Sequence, residues 1–427
     1  MIKILKITLA TFLLIQLSCS NSSRDQKVID FWAMGAEGES IRRLLPEFGK
    51  EHPDIKINIQ MIPWNAAQEK LITAYAGNNT PDGCQLGNTW IPQFAALEAI
   101  ENLDSYIEKS KSVSKENFFH GIWETNRIGN SIYGIPWYVD TRILFYRKDI
   151  LRSAGYNSPP KTWKELYDAS KKIKALFKKR EEKYAIFIPT NEWANFVIFA
   201  LQLGAPILKN ENSYGDFSGK KFKEAFDYLI RFYREKLSPV GVTQVTNIYQ
   251  ALADSFVAMY ISGPWHVPEF KKWMTGDLKD KWGTAPLPGP YDSIGLSLAG
   301  GSSSVIFKDS DKKEEVWKFI EFLSKPETQA EFYLMVNDLP AVKSAWEDSS
   351  LQHDEYLKAF YIQLNHVTPT PKIPEWEQIV FSKLQNYIEI AARETMTTDD
   401  ALKALDKEVN QVLEKRRWLL GRSGGSP

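Results

Sequence analysis

Residues 28–38 read VIDFWAMGAEG, residues 55–65 read IKINIQMIPWN, and residues 83–90 read GCQLGNTW. The β-forming residues of the first segment, the apolar–polar alternation of the second and the short apolar run of the third predict three strands. Apolar residues at helical spacing occupy 41–48, and residues 67–76 indicate a second helix. Strands that alternate with helices predict an α/β fold with a mainly parallel sheet covered by helices.

Tryptophan lies at the end of each of these predicted strands. Trp32 begins the first loop, a predicted turn at 63–65 carries Trp64, and the third segment ends at Trp90. Ligands of open α/β sheets bind at the carboxyl ends of the strands. The chain also contains 14 Trp, 18 Tyr and 23 Phe, and that number of Trp exceeds what core packing calls for. Some of these rings are therefore expected to line a surface that binds a ligand.

Length and charge limit the possible classes of protein. The 427 residues exceed the size at which one hydrophobic core stops growing, so two lobes are expected. A hydrophobic content of 43% and a charged content of 25% are ordinary for a soluble globular protein. Lys plus Arg and Asp plus Glu both number 53, which gives a formal net charge of zero. This balance argues against a nucleic-acid partner, which would favour a basic surface.

The N-terminus predicts export. Residues 1–18 have lysines followed by an apolar run too short to span a bilayer, which is typical of a signal peptide. Leu17-Ser18-Cys19 resembles a bacterial lipobox, although Gln16 stands where an aliphatic residue is usual. The resemblance implies that Cys19 carries a lipid and that residues 19–26 form a tether. The alternative is a plain signal peptide in which Cys19 is incidental.

The cysteines and histidines predict neither a disulfide nor a metal site. With Cys19 lipidated, Cys84 has no partner for a disulfide and is expected to be a buried structural thiol. The five histidines are scattered, so neither a metal nor a cofactor is expected. No run after the signal segment is long enough for a transmembrane helix.

The middle of the chain repeats the alternation of strands and helices. Residues 138–147 form an extended apolar run, and Thr162 to Glu165 is a capping box that opens a helix. A buried strand is predicted at 256–261. Helices dominate from there to the C-terminus, and residues 421–427 are expected to be disordered.

Several segments share their order and spacing with one family. They are WNAAQEKL at 64–71, QLGNTWIP at 85–92, YGIP at 133–136, DTR at 140–142, YRKD at 146–149, AGYNSPPKTW at 154–163, FVAMYISGPW at 256–265, PLPGP at 286–290, Gly300-Gly301 and the stretch 317–326. In these segments the chain resembles the family 1 extracellular solute-binding proteins. These are sugar receptors of bacterial ABC importers and relatives of the maltose-binding proteins, and the resemblance covers nearly the whole mature chain.

The resemblance implies a two-lobe, hinged α/β fold of the type II periplasmic-binding-protein kind, with the ligand cleft between the lobes. By similarity the chain crosses between lobes near residues 139–141, 299–302 and 324–328. The N-terminal lobe would then contain residues 27–139 and 302–324, and the C-terminal lobe residues 140–301 and 325–420. Such proteins close around ligand by a hinge motion.

A sugar suits the residues at these positions. Aromatic rings cover the C–H faces of a pyranose, while carboxylates, amides and glycine backbone groups bind its hydroxyls. The candidate site residues are Trp32, Glu37, Trp64, Asn65, Asn88, Trp90, Trp137, Asp140, Glu192, Trp193, Trp265, Gly300 and Gly301. Arg142 pairs with Asp140 in one interpretation, which leaves open whether the two belong to the hinge or to the site.

The resemblance also implies partners and a location. The chain is expected to be a monomeric bacterial lipoprotein on the periplasmic or cell-surface side, to bind a carbohydrate and to deliver it to the permease subunits of an ABC importer. It would not be an enzyme, since another subunit hydrolyses ATP. Two alternatives stay open: the same fold binding a peptide or polyamine, and a glycoside hydrolase, which would need two carboxylates at a set separation.

Overall fold

The structure, a computed structural model, describes residues 26–177, 182–291 and 294–423. Two main sheets organise these residues. In chain order the strands are β1 (Lys27–Met34), β2 (Ile55–Ile62), β3 (Gly83–Gly87), β4 (Arg127–Ile128), β5 (Ser131–Ile132), β6 (Ile135–Asp140), β7 (Ile143–Arg147), β8 (Tyr184–Phe187), β9 (Leu208–Lys209), β10 (Tyr214–Gly215), β11 (Val257–Ser262), β12 (Trp282–Ala285), β13 (Ser297–Leu298), β14 (Gly300–Ile306), β15 (Leu339–Pro340) and β16 (Val367–Thr368).

Helices cover the sheets. They are α1 (Gly35–Glu51), α2 (Trp64–Ala76), α3 (Ile91–Ala96), α4 (Asp104–Lys109), α5 (His120–Thr125), α6 (Lys148–Ser153), α7 (Trp163–Leu176), α8 (Trp193–Gln202), α9 (Lys220–Arg234), α10 (Ile248–Ala253), α11 (His266–Trp273), α12 (Lys313–Leu323), α13 (Pro326–Val336), α14 (Ser349–Gln352), α15 (Lys358–Leu364), α16 (Gln385–Ala392), α17 (Thr398–Val412) and α18 (Glu414–Ser423). Short 3-10 turns at Asn88–Trp90 and Lys343–Glu347 and a π-helix at Gln378–Leu384 complete the elements used below.

The first sheet has six strands in the order β15-β6-β14-β3-β1-β2. The parallel pairs are β1 with β2 and β1 with β3, as the alternation of strands and helices predicts, while β14 runs antiparallel between β3 and β6. Both faces of β1 are covered. Phe31 and Ala33 pack into one apolar cluster and Trp32 and Met34 into another, because successive side chains of a strand point to opposite faces.

The second sheet has four strands in the order β12-β7-β11-β8. Helix α8 packs in its core: residues 193–200 are buried, and their side chains pack with those of α7 and α9. The predicted capping box opens α7: the Glu165 amide donates to Thr162 Oγ1 at 3.1 Å, and the Glu165 carboxylate accepts from the Lys161 amide at 2.7 Å. The two-sheet α/β architecture that the sequence predicts is therefore confirmed.

The chain passes between the sheets at two adjacent places. The predicted extended run 138–147 is divided into β6 of the first sheet and β7 of the second, with Thr141 and Arg142 between them. The return passes from β13 through Ala299 to β14. The Thr141 hydroxyl donates to the Leu298 carbonyl at 2.9 Å, which ties the two crossings together.

The third crossing lies later than the predicted segment 324–328. Helix α13 packs on α1, and β15 is the edge strand of the first sheet, so residues 325–340 belong with the first sheet and not with the C-terminal lobe. Helix α15 contacts β7 and β12, which places the crossing between α14 and α15. The apolar residues of α13 do not show, in the sequence alone, which of the two sheets this helix covers.

Other predictions differ at element ends. Helix α2 begins at Trp64, so the predicted turn at 63–65 is the start of a helix. Helix α18 extends to Ser423, so residues 421–423 are helical where disorder is predicted. Cys84 is fully buried, as expected of a structural thiol, and burial raises its pKa well above the usual value. The predicted signal peptide, Cys19, tether residues 19–25 and tail residues 424–427 lie outside the described residues. None of the helices in the described ranges is long and apolar enough to cross a membrane.

Candidate functional site

A cavity of about 450 Å³ lies where the two sheets meet. Its walls come from the ends of strands in both sheets, from the two adjacent crossings and from the segment 370–381. The lining residues are Glu37, Trp64, Gly87, Asn88, Thr89, Trp90, Tyr138, Asp140, Arg142, Trp193, Ala194, Pro264, Trp265, Leu298, Ala299, Gly300, Gly301, Asp338, Thr370, Glu377 and Phe381. A larger cavity of about 640 Å³, around Trp346 and Tyr361, lies apart from these residues.

Glu37 organises the first wall. It lies in the first turn of α1, where the positive end of the helix dipole favours a carboxylate. Its Oε1 accepts a hydrogen bond from Trp64 Nε1 at 3.1 Å and another from the Tyr138 hydroxyl at 2.8 Å. Gln85 in turn donates to that hydroxyl at 3.1 Å. The network fixes the Trp64 ring against the strand ends, so its orientation is set before a ligand arrives.

Two tryptophans form an aromatic corner in this wall. The rings of Trp64 and Trp90 meet edge to face with centroids 5.7 Å apart. Trp64 remains 37% exposed and faces the cavity. Gly35, with φ of 49°, makes room for the corner, since a Cβ there would lie 3.0 Å from both the Trp64 ring and the Glu37 carboxylate.

Trp265 is the aromatic residue of the opposite wall and is 44% exposed. Its ring lies directly over the backbone of Gly263, where a Cβ would come within 2.2 Å of the ring carbons. The Arg142 guanidinium lies 4.7 Å from the ring centroid, a cation–π contact. Arg142 also pairs with Asp140 at 2.9 Å and with Glu192 at 3.6 Å. The sequence left open whether Asp140 and Arg142 belong to the hinge or to the site. Both residues line the cavity, and both lie at a crossing between the sheets.

A second aromatic group lies beside Trp193, the first residue of α8. Its ring meets Trp376 edge to face at 5.8 Å and Phe381 at 6.0 Å. Trp376 is fully buried, whereas Phe381 of the π-helix is 55% exposed and lines the cavity. Aromatic faces are thus available on both sides of the cavity.

Gly300 and Gly301 form the cavity wall at the crossing. A Cβ on Gly300 would lie 2.2 Å from Asp140 Oδ1, and one on Gly301 would lie 2.3 Å from the Tyr138 carbonyl oxygen. Gly301 has φ of 117°, a conformation that other residues rarely adopt. Only glycine lets β14 approach β6 this closely.

Acidic groups dominate the electrostatics of the cavity. Burial raises the pKa of Asp140 and, although Arg142 opposes the shift, the nearby Glu192 adds to it. Burial also raises the pKa of Glu377, against a hydrogen bond from Thr89. Behind Trp265, burial and the charge of Arg142 lower the pKa of His266 to about 4, so that ring is neutral at pH 7.

The structure places three of the predicted site residues away from the cavity. Trp32 packs under α2 with Lys70 over its ring, because it lies two residues before the end of β1. Asn65 is exposed on the first turn of α2. Trp137 is buried against Phe332 with ring centroids 4.6 Å apart. Glu192 does not line the cavity, but its carboxylate forms an ion pair with Arg142.

Trp137 lies at an irregularity of β6: Tyr138 pairs with Ser302 and Pro136 with Ser303, so Trp137 is the extra residue and has no partner in β14. Tyr138 and Asp140 share the face of β6 that lines the cavity, and Val139 between them points to the other face. Strand alternation, applied to Asp140, would have predicted Tyr138 as a lining residue. Thr89 could also have been predicted as a lining residue, because it lies between the candidates Asn88 and Trp90. Asp338, Thr370, Glu377 and Phe381 come from distant segments, and no local pattern in the sequence marks them.

Two lining residues have a buried donor without a partner, Asn88 at Nδ2 and Arg142 at Nε. Asn88 is 5% exposed, its Oδ1 accepts from the Ser303 hydroxyl at 3.1 Å, and its Nδ2 has no hydrogen-bond partner. A buried polar group without a partner costs about 1–3 kcal/mol. No group of three or more His, Cys, Asp or Glu in the described ranges is arranged to hold a metal ion. The chemistry available is stacking, hydrogen bonding and negative charge.

Comparisons with known proteins agree with this architecture. The chain is 43% identical to the sugar-binding protein MalE from Xanthomonas citri, whose structure matches with a TM-score of 0.89 over 92% of this chain and 99% of that one. It is 25% identical over 423 residues to the maltodextrin-binding protein MdxE of Bacillus subtilis, covering 95% of this chain and 96% of the relative.

A third relative is the sn-glycerol-3-phosphate-binding periplasmic protein UgpB of Escherichia coli, which is 23% identical over 363 residues and covers 79% of this chain and 80% of the relative. The sequence profile of the bacterial extracellular solute-binding proteins matches residues 33–330. That match spans more than half of the chain, both sheets and most of the cavity lining. The chain belongs to the bacterial extracellular solute-binding protein family.

Proposed function

We propose that this protein binds a sugar in the cavity between its two sheets and delivers it to an ABC importer. The single observation that carries the proposal is the position of exposed aromatic rings on opposite walls: Trp64 on one side, Trp265 and Phe381 on the other. Flat rings on different walls of one cavity suit the C–H faces of a pyranose. The names of the MalE and MdxE relatives support the same ligand class.

Polar groups between the rings suit the hydroxyls at the rim of a sugar. Asp140, Asp338 and Glu377 supply acceptors, and Asn88 Nδ2 supplies a donor that has no partner in the protein. A carboxylate accepts hydrogen bonds in fixed directions, so these groups select the positions of hydroxyls as well as their number. The cavity of about 450 Å³ is within the range of small-molecule sites.

The remaining parts of the proposal concern location and partners. The signal-like N-terminus supports export, and Cys19 supports attachment to the membrane by lipid after cleavage. The chain acts as a monomer that presents its ligand-closed form to permease subunits, and it performs no covalent chemistry. Ligand shifts the population towards the closed form because contacts from the second wall form only on closure.

Calorimetric titration of the mature chain with mono-, di- and trisaccharides tests the ligand class. We expect a stoichiometry of one and an increase in melting temperature with sugar concentration. Trp64→Ala and Trp265→Ala each remove one aromatic face and should weaken sugar binding about tenfold or more, since aromatic contacts and their buried area are lost together. Trp273→Ala is the matched control, because Trp273 is 41% exposed and does not line the cavity.

The same titration separates the alternatives. Spermidine and short peptides serve as probes of a cationic or peptidic ligand. Heat from spermidine with none from any sugar would sink the sugar proposal in favour of a polyamine receptor. Appearance of shorter saccharides during incubation would instead indicate a glycoside hydrolase.

A further inference from the structure

Among the carboxylates that line the cavity, Asp338 is the one without a hydrogen-bond or ion-pair partner in the described residues. It follows Asn337, which ends α13 in a left-handed conformation with φ of 63°, and it precedes β15. In β15, Leu339 pairs with Val139 of antiparallel β6. One further step in that register puts Asp338 level with Asp140, so two carboxylates lie side by side at the edge of the first sheet.

The side chains near Asp338 that are described below are acidic or neutral. Burial raises the pKa of Asp338 well above its usual range, and the charges of Glu37 on α1 and Asp140 on β6 add to the shift. The neighbouring Tyr138 hydroxyl on β6 is already bonded to Glu37. Among the described residues, no hydrogen bond or ion pair reaches the Asp338 carboxylate. Like charges in adjacent positions of a sheet are destabilising.

The described lining of the cavity has one basic side chain, whose charge is offset by two carboxylates although its Nε has no hydrogen-bond partner. Arg142 pairs with Asp140 and with Glu192, and it lies over the Trp265 ring. Four carboxylates line the same cavity: Glu37, Asp140, Asp338 and Glu377. An anionic guest would therefore meet excess negative charge, whereas a cationic guest would offset it.

A second observation points to a guest in the same cavity. The Nδ2 donor of Asn88 is buried, lines the cavity and has no protein partner. It needs an acceptor, which a ring or hydroxyl oxygen of a sugar supplies. Because these acids do not form a metal-holding group, a metal ion does not account for Asp338. A guest that satisfies both groups carries an oxygen acceptor and a strong donor on one framework.

We propose that Asp338 makes this site selective by charge, so that a sugar with a protonated amine binds more tightly than its neutral counterpart and a sugar with a carboxylate or phosphate is rejected. The inference rests on the proposed function, sugar binding in the same cavity. An ammonium group provides up to three donors and a positive charge, and hydrogen bonds between ionised groups are about twice as strong as neutral ones. A neutral hydroxyl satisfies Asp338 without relieving the repulsion from Glu37 and Asp140.

The experiment titrates the mature chain with glucose, galactose and mannose, as mono- and trisaccharides, each beside its 2-amino and its uronic acid counterpart. We expect at least one amino sugar to bind about tenfold more tightly than its neutral counterpart, and the acidic counterparts to bind least. In Asp338→Asn the advantage of the amine, measured as the ratio of the amino-sugar affinity to the neutral-sugar affinity of the same variant, should fall to about threefold or less. Asp309→Asn, at an exposed position away from the cavity, is the matched control.

The dependence on pH gives a second readout that a merely structural role of Asp338 would not produce. As the pH is lowered while the amine stays protonated, protonation of this carboxyl should reduce the advantage of the amine in the wild-type chain. That dependence should disappear in Asp338→Asn.

The outcomes separate the two proposals. Binding of neutral sugars with no gain for any amino sugar overturns the charge selectivity and leaves sugar binding intact. An amine advantage that persists unchanged in Asp338→Asn also overturns it. Absence of binding by every sugar in the panel contradicts the proposed function itself, and the selectivity with it.

Discussion

At the scale of single residues, Trp265 faces the cavity because Gly263 has no side chain. The ring carbons lie where a Cβ on residue 263 would stand, at 2.2 Å. Gly263→Ala must therefore displace an exposed ring, which has room to move. We expect sugar affinity to fall roughly fivefold to tenfold, about 1 kcal/mol, with little change in stability.

Gly49→Ala is the matched control for this substitution. Gly49 lies inside α1, and a Cβ there would meet nothing within 4 Å. Alanine at that position should leave affinity unchanged and raise stability by about 0.5–1 kcal/mol. Calorimetric titration measures the sugar affinity of both variants, and thermal unfolding measures their stability. If Gly263→Ala keeps wild-type affinity, the Trp265 ring does not contribute a stacking face in this orientation.

His266 gives a prediction for pH. Its ring lies between the hydroxyls of Tyr249, at 2.9 Å, and Tyr260, at 3.3 Å. Burial, with a contribution from Arg142, lowers its pKa to about 4. An unfolded histidine titrates near pH 6.5, so below that value the unfolded chain takes up a proton that the native chain does not.

The contribution of His266 to the free energy of unfolding is therefore complete above about pH 6.5 and is lost as the pH falls towards about 4, by up to about 3 kcal/mol. Denaturant unfolding at several pH values measures it as the difference between the wild-type chain and His266→Gln. His353→Gln serves as control, since His353 is exposed on the surface. An identical pH profile for wild type and His266→Gln would contradict the depressed pKa.

At the scale of elements, β6 divides its aromatic residues between two roles. The Tyr138 hydroxyl joins Glu37 and Gln85 at the cavity, whereas Trp137 packs against Phe332 in the core. Tyr138→Phe should therefore weaken sugar binding, because Glu37 loses a donor and the Trp64 ring loses its fixed support. Trp137→Phe should lower stability by about 1–3 kcal/mol and leave affinity almost unchanged.

Titration and thermal unfolding of these two variants test the face assignment of the strand directly. They are neighbours in sequence and remove different groups. A loss of affinity in Trp137→Phe that equals the loss in Tyr138→Phe would mean that these two neighbouring residues of β6 do not divide between core and site.

The elements also show how far sequence patterns reach. The alternation at 55–61 and the capping box at 162–165 depend on neighbours within a few residues, and both predicted elements are found in the structure. Ring placement in the cavity was predicted where a tryptophan directly follows a strand, as at Trp64 and Trp90. The error at Trp137 arose because the irregularity of β6 at this residue, which lies against Phe332, leaves no local pattern in the sequence.

Other lining residues depend on contacts between distant segments. Asp338 reaches the cavity through the pairing of the two-residue strand β15 with β6, and Phe381 reaches it through the packing of the π-helix beside Trp193. Neither strand β15 nor the π-helix has a periodicity long enough to be recognised in the sequence. These positions become visible only once the chain is folded.

At the scale of the whole molecule, the two sheets are joined by crossings that lie side by side and form part of the cavity wall. Residues 141–142 leave the first sheet where residues 299–301 enter it, and the Thr141 hydroxyl ties them together. A change at this place therefore affects the relation of the two walls as well as local stability. The third crossing, between α14 and α15, is separate from this pair.

Gly301 tests this coupling of hinge and site. It has φ of 117° and pairs with Val139, and a Cβ would lie 2.3 Å from the Tyr138 carbonyl oxygen. Gly301→Ala must strain the backbone and push β14 from β6. We expect a loss of stability of about 2–4 kcal/mol together with weaker sugar binding, since the two walls no longer meet in the same geometry.

Gly129→Ala separates the two contributions. Gly129 also has positive φ, 59°, in the hairpin of β4 and β5, but no atom would meet its Cβ within 4 Å. Alanine there should cost only about 1 kcal/mol and leave affinity unchanged. Thermal unfolding and titration of both variants, with small-angle scattering in the presence and absence of sugar, measure stability, affinity and closure. If Gly301→Ala loses stability but closes and binds as the wild-type chain does, the paired crossings hold the lobes together without setting the geometry of the cavity.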